Sequence, residues 1–186
     1  MTCGTSDRIG SAPRIWTIGH STRSLDQFLQ LLAWQQIEAV VDVRRYPGSR
    51  RWPQFTRDAL TDALADRGLL YLWCPELGGR RRPVPGSTNT AWRSAAFRGY
   101  ADHMMTEEFA DGLVGLVNVG CGVRAAIMCA EAVWWRCHRG LIADVLRWLG
   151  FEVSHILGPA SITTHPYTSA ARIVRGQLTY ALPGAT

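Results

Sequence analysis

Short apolar runs alternate along the chain with longer segments in which apolar residues recur every three or four positions. The short runs are typical of buried strands, and the longer segments have the spacing of amphipathic helices. The sequence predicts strands over residues 14–20, 38–44, 69–74, 124–130 and 151–157. It predicts helices over residues 24–37, 56–68 and 139–150, and one or two helices over residues 94–119, broken near Thr106. A further short strand is predicted near residues 177–181.

The alternation of strands and helices predicts an α/β fold with right-handed crossovers. We expect a single-domain three-layer sandwich, with a mainly parallel sheet and helices on both of its faces. The domain is predicted to span residues 14–160. A disordered or extended N-terminus, residues 1–13, would precede it, and a C-terminal tail, residues 161–186, would pack on it.

No apolar run reaches the ~18 residues that a membrane span needs. Residues 1–13 also lack the apolar segment of a signal peptide. We therefore expect a cytoplasmic protein without a membrane partner, while the sequence gives no indication of the oligomeric state.

Positive charge is concentrated in two loops rich in proline and glycine. The formal net charge is +5, and all 20 basic residues are arginine. Many of them fall in residues 44–57 and 78–93. Arginine binds phosphate in a forked geometry, and a neighbouring tryptophan can stack on a base. A nucleotide or nucleic acid is therefore the expected partner, and a solvated surface is the alternative.

The residues with reactive side chains follow the predicted strands. Parallel sheets bind ligands outside the carboxyl ends of their strands, so these segments are expected to meet at one edge. The candidates for general acid, general base or carboxylate nucleophile are Glu131, Asp42, His20 and His138. Such a set suits hydrolysis of an N-glycosidic bond. The structural alternatives are a His20 bonded to its own loop, an Asp42–Arg44 ion pair, and a Glu131–Arg139 pair that fixes the loop.

Two cysteines flank the stretch Ala130–Arg136 and offer two further interpretations. Either Cys129 or Cys137 could act as a nucleophile with a histidine as its base. They could also bind zinc with His138 and Cys74, but their spacing differs from that of common zinc sites. We predict no metal and no cofactor. Small buried cysteines behind the site are the alternative.

A second group of residues is expected to bind the substrate rather than to react with it. Arg44, Arg80 and Arg139 offer charge, and Gly78 and Gly79 allow a sharp turn. Trp135 offers a stacking surface, and Tyr100 lies three residues from His103, on the same face of a helix. Hydrophobic anchoring is the alternative for both aromatic residues.

Seven motifs occur in a fixed order from Ile15 to about Tyr180: TIGHST, VVDVRRYPGSRR, PQF, LGG, FRGYADHM, CAEAVWWRCHR and HPYT. In these motifs the chain resembles the family called domain of unknown function 488. The resemblance implies a compact α/β domain and no particular activity.

Three functional hypotheses follow from these residues. The leading one is an enzyme that acts on a nucleotide or nucleic acid, most sharply by N-glycosidic hydrolysis. The second is a non-catalytic module that binds such a ligand in the same pocket. The third is a thiol- or metal-dependent enzyme that uses Cys129 and Cys137.

Overall fold

A six-stranded sheet forms the centre of the protein. The computed structural model describes residues 12–48 and 50–183. The strands of the sheet are β1 (Arg14–Gly19), β2 (Ala39–Asp42), β3 (Leu70–Trp73), β4 (Ala125–Cys129), β5 (Glu152–Gly158) and β6 (Ser161–Thr164). The helices are α1 (Leu25–Trp34), α2 (Arg57–Ala65), α3 (Ala95–His103), α4 (Glu107–Gly122) and α5 (Arg139–Trp148). A separate hairpin consists of β7 (Arg172–Val174) and β8 (Gln177–Thr179).

The strand order in the sheet is β3-β2-β4-β1-β5-β6, and every pair is parallel except β5 with β6. This confirms the predicted α/β fold with a mainly parallel sheet. The sequence analysis did not predict β6, which adds an antiparallel edge strand from within the predicted C-terminal tail. All four residues of β6 are exposed, so the sequence has no buried apolar run at this position that would predict a strand. Of the N-terminal segment predicted at residues 1–13, residues 1–11 lie outside the described part of the chain.

The helices cover both faces of the sheet. Alternate residues of a strand point to opposite faces. On one face, Val40 and Met128 pack with the apolar residues of α1 and α2. On the other face, Val41 and Ile127 pack with those of α3, α4 and α5. The two clusters form the upper and lower halves of a three-layer core.

The helix boundaries follow local capping. Ser24 caps α1, accepting a hydrogen bond from the backbone of Gln27, whose side chain accepts one in return from Ser24 N–H. The predicted break near Thr106 is confirmed, because Thr106 caps α4 through its hydroxyl. Among the described residues, no helix has the length and apolar character needed to cross a membrane.

The ligand crevice of such a sheet is expected beyond the carboxyl ends of β1 and β4. These strands are neighbours, and β1 leads into α1 on one face while β4 leads into α5 on the other, so they form the switch point of the sheet. Beyond the strands, His20 N–H donates to Cys129 O at 3.0 Å and Ser21 N–H to Ala130 O at 2.9 Å. A Cβ on Gly19 would lie 1.8 Å from Glu131 O, so only glycine allows this approach.

Candidate active site

The predicted reactive residues do meet at the carboxyl edge of the sheet, but on two different faces. His20, Asp42 and Arg44 lie on the face covered by α1 and α2. Cys129 and Cys137 lie on the face covered by α5. The two groups are therefore adjacent clusters rather than one ring of side chains around a ligand.

Asp42 and Arg44 form a buried ion pair. Arg44 donates to both carboxylate oxygens of Asp42, at 2.6 Å from Nη2 and 2.9 Å from Nε, and Tyr71 donates its hydroxyl to Oδ2 at 2.7 Å. Asp42 is fully buried, and Arg44 is nearly so. Burial lowers the pKa of Arg44, but the hydrogen bonds and charge of Asp42 outweigh it and raise that pKa above its usual value. This geometry is that of the alternative interpretation of Asp42, a structural ion pair with Arg44.

His20 is held between this pair and its own loop. Its ring stacks on Phe55 at 4.3 Å between centroids. Nδ1 lies 3.1 Å from Ser21 O, and Nε2 lies 3.3 Å from Nη1 of Arg44. Burial, followed by the charge of Arg44, lowers the pKa of His20 to about 4. His20 is therefore neutral at neutral pH and bonds its neighbouring loop.

Cys137 has the most unusual surroundings of the predicted residues. It directly precedes the His138 that caps α5, and its sulfur contacts Cys129, Nδ1 of His138 at 3.7 Å and Nε of Arg139 at 3.4 Å. The hydrogen bond donated by Cys129, aided by the charges of His138 and Arg139, holds the pKa of the Cys137 thiol well below its usual value despite burial. The same bond raises the pKa of Cys129 well above its usual value. Of the two thiols, Cys137 is the one whose surroundings favour the thiolate, and Cys129 is placed as its hydrogen-bond donor.

The backbone fixes the orientation and tautomer of His138. Its Nε2 lies 3.1 Å from Val43 O, and a carbonyl oxygen only accepts, so Nε2 carries a proton. In the neutral ring the lone pair is then on Nδ1, which faces Cys137. The imidazole packs against Tyr100, with ring centroids 5.0 Å apart. His138 is thereby placed as a base beside a thiol.

Arg139 is a buried cation that binds only carbonyls and sulfur. It is 1% exposed. Its Nη2 donates to Glu131 O and Ala132 O, and its Nε to Cys137. Among the described residues, no carboxylate lies within ion-pair distance of it. Burying a guanidinium without an anion is costly, so Arg139 favours the thiolate form of Cys137.

Glu131 is exposed, and its Oε1 accepts a hydrogen bond from the adjacent Ala132 N–H at 3.1 Å. The pair anticipated between Glu131 and Arg139 is formed by the backbone carbonyl of Glu131 and not by its carboxylate. The carboxylate is accessible beside the crevice.

The predicted binding residues divide into supporting and exposed ones. A Cβ on Gly79 would lie 2.7 Å from Nδ1 of His138, and one on Gly78 would lie 2.7 Å from Pro75 O, so both glycines allow close packing. Tyr100 is buried and donates its hydroxyl to Leu77 O at 2.8 Å. Arg80 and Trp135 are exposed, and Arg80 has a φ of 61°, uncommon for a residue with a side chain.

The structure adds residues that the sequence analysis missed. Tyr71 completes the shell of Asp42, and Val43 supplies the carbonyl that orients His138. Arg23 lies in the turn after β1 and donates to Gly19 O and Leu157 O. The sequence contains no motif that marks Arg23 as a site residue. Its position directly after a predicted strand was the one signal that could have indicated it.

A buried network supports the loop that carries Trp134. Thr17 Oγ1 lies 2.7 Å from Nδ1 of His155, whose Nε2 lies 2.9 Å from Nδ1 of His165. His165 Nε2 in turn lies 3.0 Å from Asp144 Oδ1. Trp134 stacks on His155 at 4.5 Å between centroids. The first tryptophan of the pair is thus an anchor, whereas Trp135 is 53% exposed.

The groups around Cys137 include three donor atoms that could form part of a metal site. The sulfurs of Cys129 and Cys137 and a ring nitrogen of His138 all lie within 4.8 Å of one another. Cys74 is not in this group; its thiol is directed to Gly112 O at 3.8 Å. A guanidinium already donates to the sulfur of Cys137, and a metal at that sulfur would add a second positive charge next to it. The surroundings thus favour a thiolate balanced by arginine.

Fold and site together define a doubly wound α/β domain with a cysteine–histidine–arginine cluster at its switch point. Residues 24–146 match the family described as "Domain of unknown function DUF488". The chain belongs to this family, as its motifs suggested. Searches of curated proteins and of solved structures gave no significant match.

Proposed function

We propose that this chain is a thiol-dependent enzyme that uses Cys137 as a nucleophile on a nucleotide or nucleic acid. The observation that carries the proposal is the set of groups around one sulfur: Cys129, His138 and Arg139 all face the sulfur of Cys137. Each of them favours the thiolate, which is the nucleophilic form of cysteine.

His138 supports the proposal as a base held by a third group. Activated cysteines have a base within reach, and the base is oriented by a further hydrogen bond. Val43 O plays the orienting role here, and the 3.7 Å between sulfur and Nδ1 is typical of a site without substrate. When a leaving group departs, the protonated ring can return a proton to it.

The two-carboxylate version of the hydrolase is less favoured by the geometry. Both oxygens of Asp42 are engaged by Arg44 and Tyr71. Glu131 remains accessible and is the carboxylate that could serve as a general acid or base beside Cys137. N-glycosidic hydrolysis is retained in this form. The sulfur of Cys137 bonds to the sugar carbon as the bond from that carbon to the base breaks, and the leaving base takes a proton from His138. Water activated by Glu131 then releases the sugar and restores the thiolate.

Exposed arginines and aromatic residues favour a nucleotide or nucleic acid as the substrate. Arg80 follows Gly79, which touches His138, and so extends from the site to the surface. Arg51 and Arg57 lie over the rings of Trp52 and Trp73, at 5.4 and 4.4 Å from their centroids. Such pairs offer positive charge and a π-face together, which suits single-stranded nucleic acid.

A titration of the thiols tests the proposal. The ultraviolet absorbance of the thiolate is measured against pH in the wild type and in the Cys137→Ser variant, and alkylation by iodoacetamide is mapped onto each cysteine. We expect Cys137 to ionise well below the ~8.5 of a free cysteine. Cys74 is the internal control, because burial raises the pKa of its thiol to about 12.

The outcome also separates an enzyme from a binding module. Cys137→Ser should retain ligand affinity while turnover of nucleosides, nucleotides or oligonucleotides is lost. A Cys137 thiol that ionises at the pH of a free cysteine, or turnover that survives Cys137→Ser, would remove the nucleophile from the proposal. Binding without turnover in the wild type would favour the non-catalytic module.

A further inference from the structure

Arg23 and Arg139 approach the crevice from the starts of the two helices that diverge from it. Arg23 lies just before α1, which follows β1, and Arg139 begins α5, which follows β4. Arg23 Nη1 donates to Gly19 O, and Arg139 Nη2 donates to Glu131 O. Those two carbonyls belong to residues in direct contact, as the missing Cβ of Gly19 demonstrates. The two guanidinium groups are therefore bound to neighbouring carbonyl oxygens.

Neither guanidinium has a carboxylate partner in the described part of the chain. The second nitrogen of Arg23 donates to a third carbonyl, Leu157 O, at 2.7 Å. On Arg139, Nη1 makes no hydrogen bond to a described residue, and it is not among the fully enclosed polar atoms, so it keeps access to solvent although the side chain is only 1% exposed. Carbonyl oxygens orient these cations without neutralising them.

The two positive charges act on each other. Burial, followed by the charge of Arg139, lowers the pKa of Arg23 below its usual value. The thiolate of Cys137 balances one charge at most, and the adjacent His20 is neutral. A net positive charge at a sheet switch point is favourable when an anion binds there.

We propose that Arg23 and Arg139 form the binding site for a phosphate group of the substrate, in the crevice between β1 and β4 beside Cys137. The forked guanidinium groups offer the donors that a phosphate accepts, with the unused Nη1 of Arg139 foremost. This inference rests on the proposed function, because the bound phosphate would anchor the molecule that Cys137 attacks. Glu131, the exposed carboxylate nearby, would then face the part of the substrate away from the phosphate.

Inorganic phosphate and adenosine monophosphate are the probes for this site. Binding is measured by calorimetry and by thermal shift at constant ionic strength, with chloride as the reference anion. We expect both probes to bind saturably, and Arg23→Gln to weaken both roughly 10- to 100-fold, the loss of a charged hydrogen bond. Arg67→Gln, which removes an exposed arginine just after α2 and outside both arginine-rich loops, should leave both affinities unchanged.

Arg23→Lys is the second variant, in case Arg23→Gln does not fold. It keeps the charge and loses the fork, and we expect an affinity between those of the wild type and Arg23→Gln. Tighter binding of adenosine monophosphate than of phosphate would identify a nucleotide as the source of the phosphate group, and the reverse would identify free phosphate. Absence of saturable binding of both probes to the wild type, or affinities that do not depend on residue 23, would overturn the site.

The two proposals fail separately. The thiol titration is carried out without phosphate and reports on Cys137 alone. An ordinary thiol pKa with Arg23-dependent phosphate binding would refute the nucleophile and leave the anion site. A thiolate at Cys137 without phosphate binding would do the opposite.

Discussion

Gly79 and His138 are in a contact that leaves no room for a side chain on the glycine. A Cβ at position 79 would lie 2.7 Å from Nδ1 of His138, the nitrogen that faces Cys137. The loop after β3 thus fixes the distance between the base and the thiol. The loop after β3 thus contacts the site through Gly79, a role that its sequence, LGG, does not reveal.

Gly79→Ala should therefore impair the thiolate more than the fold. Displacing His138 removes one of the groups that hold the pKa of Cys137 low, so we expect a higher pKa of Cys137 and a loss of roughly 10²- to 10⁴-fold in turnover. Gly115→Ala is the matched control, since nothing lies within 4 Å of a Cβ at that position in α4. An unchanged thiol titration in Gly79→Ala would show that His138 does not influence Cys137.

Asp42→Asn tests whether Asp42 is structural or catalytic. Removing one partner of a buried pair leaves Arg44 as an unbalanced cation, so we expect unfolding free energy to fall by about 3–5 kcal/mol. Glu152→Gln, which breaks an ion pair with Arg14 that is half exposed on both sides, should cost less than ~1 kcal/mol. Urea denaturation measures both. A stable Asp42→Asn protein with lost turnover would restore Asp42 as a catalytic carboxylate.

The sequence predicted the edge of the sheet at which the site lies, because the carboxyl ends of parallel strands coincide. The sequence did not indicate on which face of the sheet each of these side chains lies. Asp42 and Val43 are consecutive, yet the side chain of Asp42 pairs with Arg44 on one face while that of Val43 packs in the cluster on the other face. A single residue of strand register decides which side chains meet, and apolar runs in a doubly covered sheet carry little face information.

The features of the site that could not be predicted from the sequence are those that depend on backbone contacts between distant segments. Arg139 was expected near Glu131, but its acceptor is the carbonyl and not the carboxylate. Arg23 was not singled out, because its partners Gly19 O and Leu157 O have no signature in the sequence. Local signals, by contrast, were sufficient for the start of α1 at Ser24 and for the predicted break near Thr106, both of which are present.

The stability of the protein should fall as the pH decreases below 6.5. Burial, followed by the charge of His165, lowers the pKa of His155 to about 2, and that of His20 is lowered to about 4. Between pH 6.5 and about 4 the unfolded chain binds protons at both residues and the folded protein does not. Protonation therefore favours unfolding, by up to about 1.4 kcal/mol per pH unit for each histidine.

His155→Gln isolates one of these contributions. The variant should lose about half of the slope between pH 6.5 and 4 in urea denaturation, whatever its overall stability. Equal slopes for the wild type and the variant would mean that folded His155 takes up a proton as readily as the unfolded chain does.

Protein purified without chelator should contain substoichiometric zinc. Arg139 already donates to the sulfur of Cys137, which leaves that thiolate balanced without a metal. Elemental analysis of the wild type and of Cys137→Ser provides the measurement. Stoichiometric zinc that disappears in Cys137→Ser would make Cys129, Cys137 and His138 ligands and replace the nucleophile with a metal centre.

Salt dependence tests a nucleic acid as the substrate. Each arginine on a phosphate releases counter-ions, so log affinity for a single-stranded oligonucleotide should fall with log salt by ~0.7 per contact. Arg80 and Arg82 are exposed, whereas Arg81 is held by Glu108 at 2.9 Å. Replacing Arg80 and Arg82 with alanine should therefore flatten the slope by about two contacts for every sequence. Fluorescence anisotropy measures it, with Arg67→Ala/Arg172→Ala as the charge-matched control. Lack of affinity of the wild type at low salt would restrict the substrate to a nucleotide.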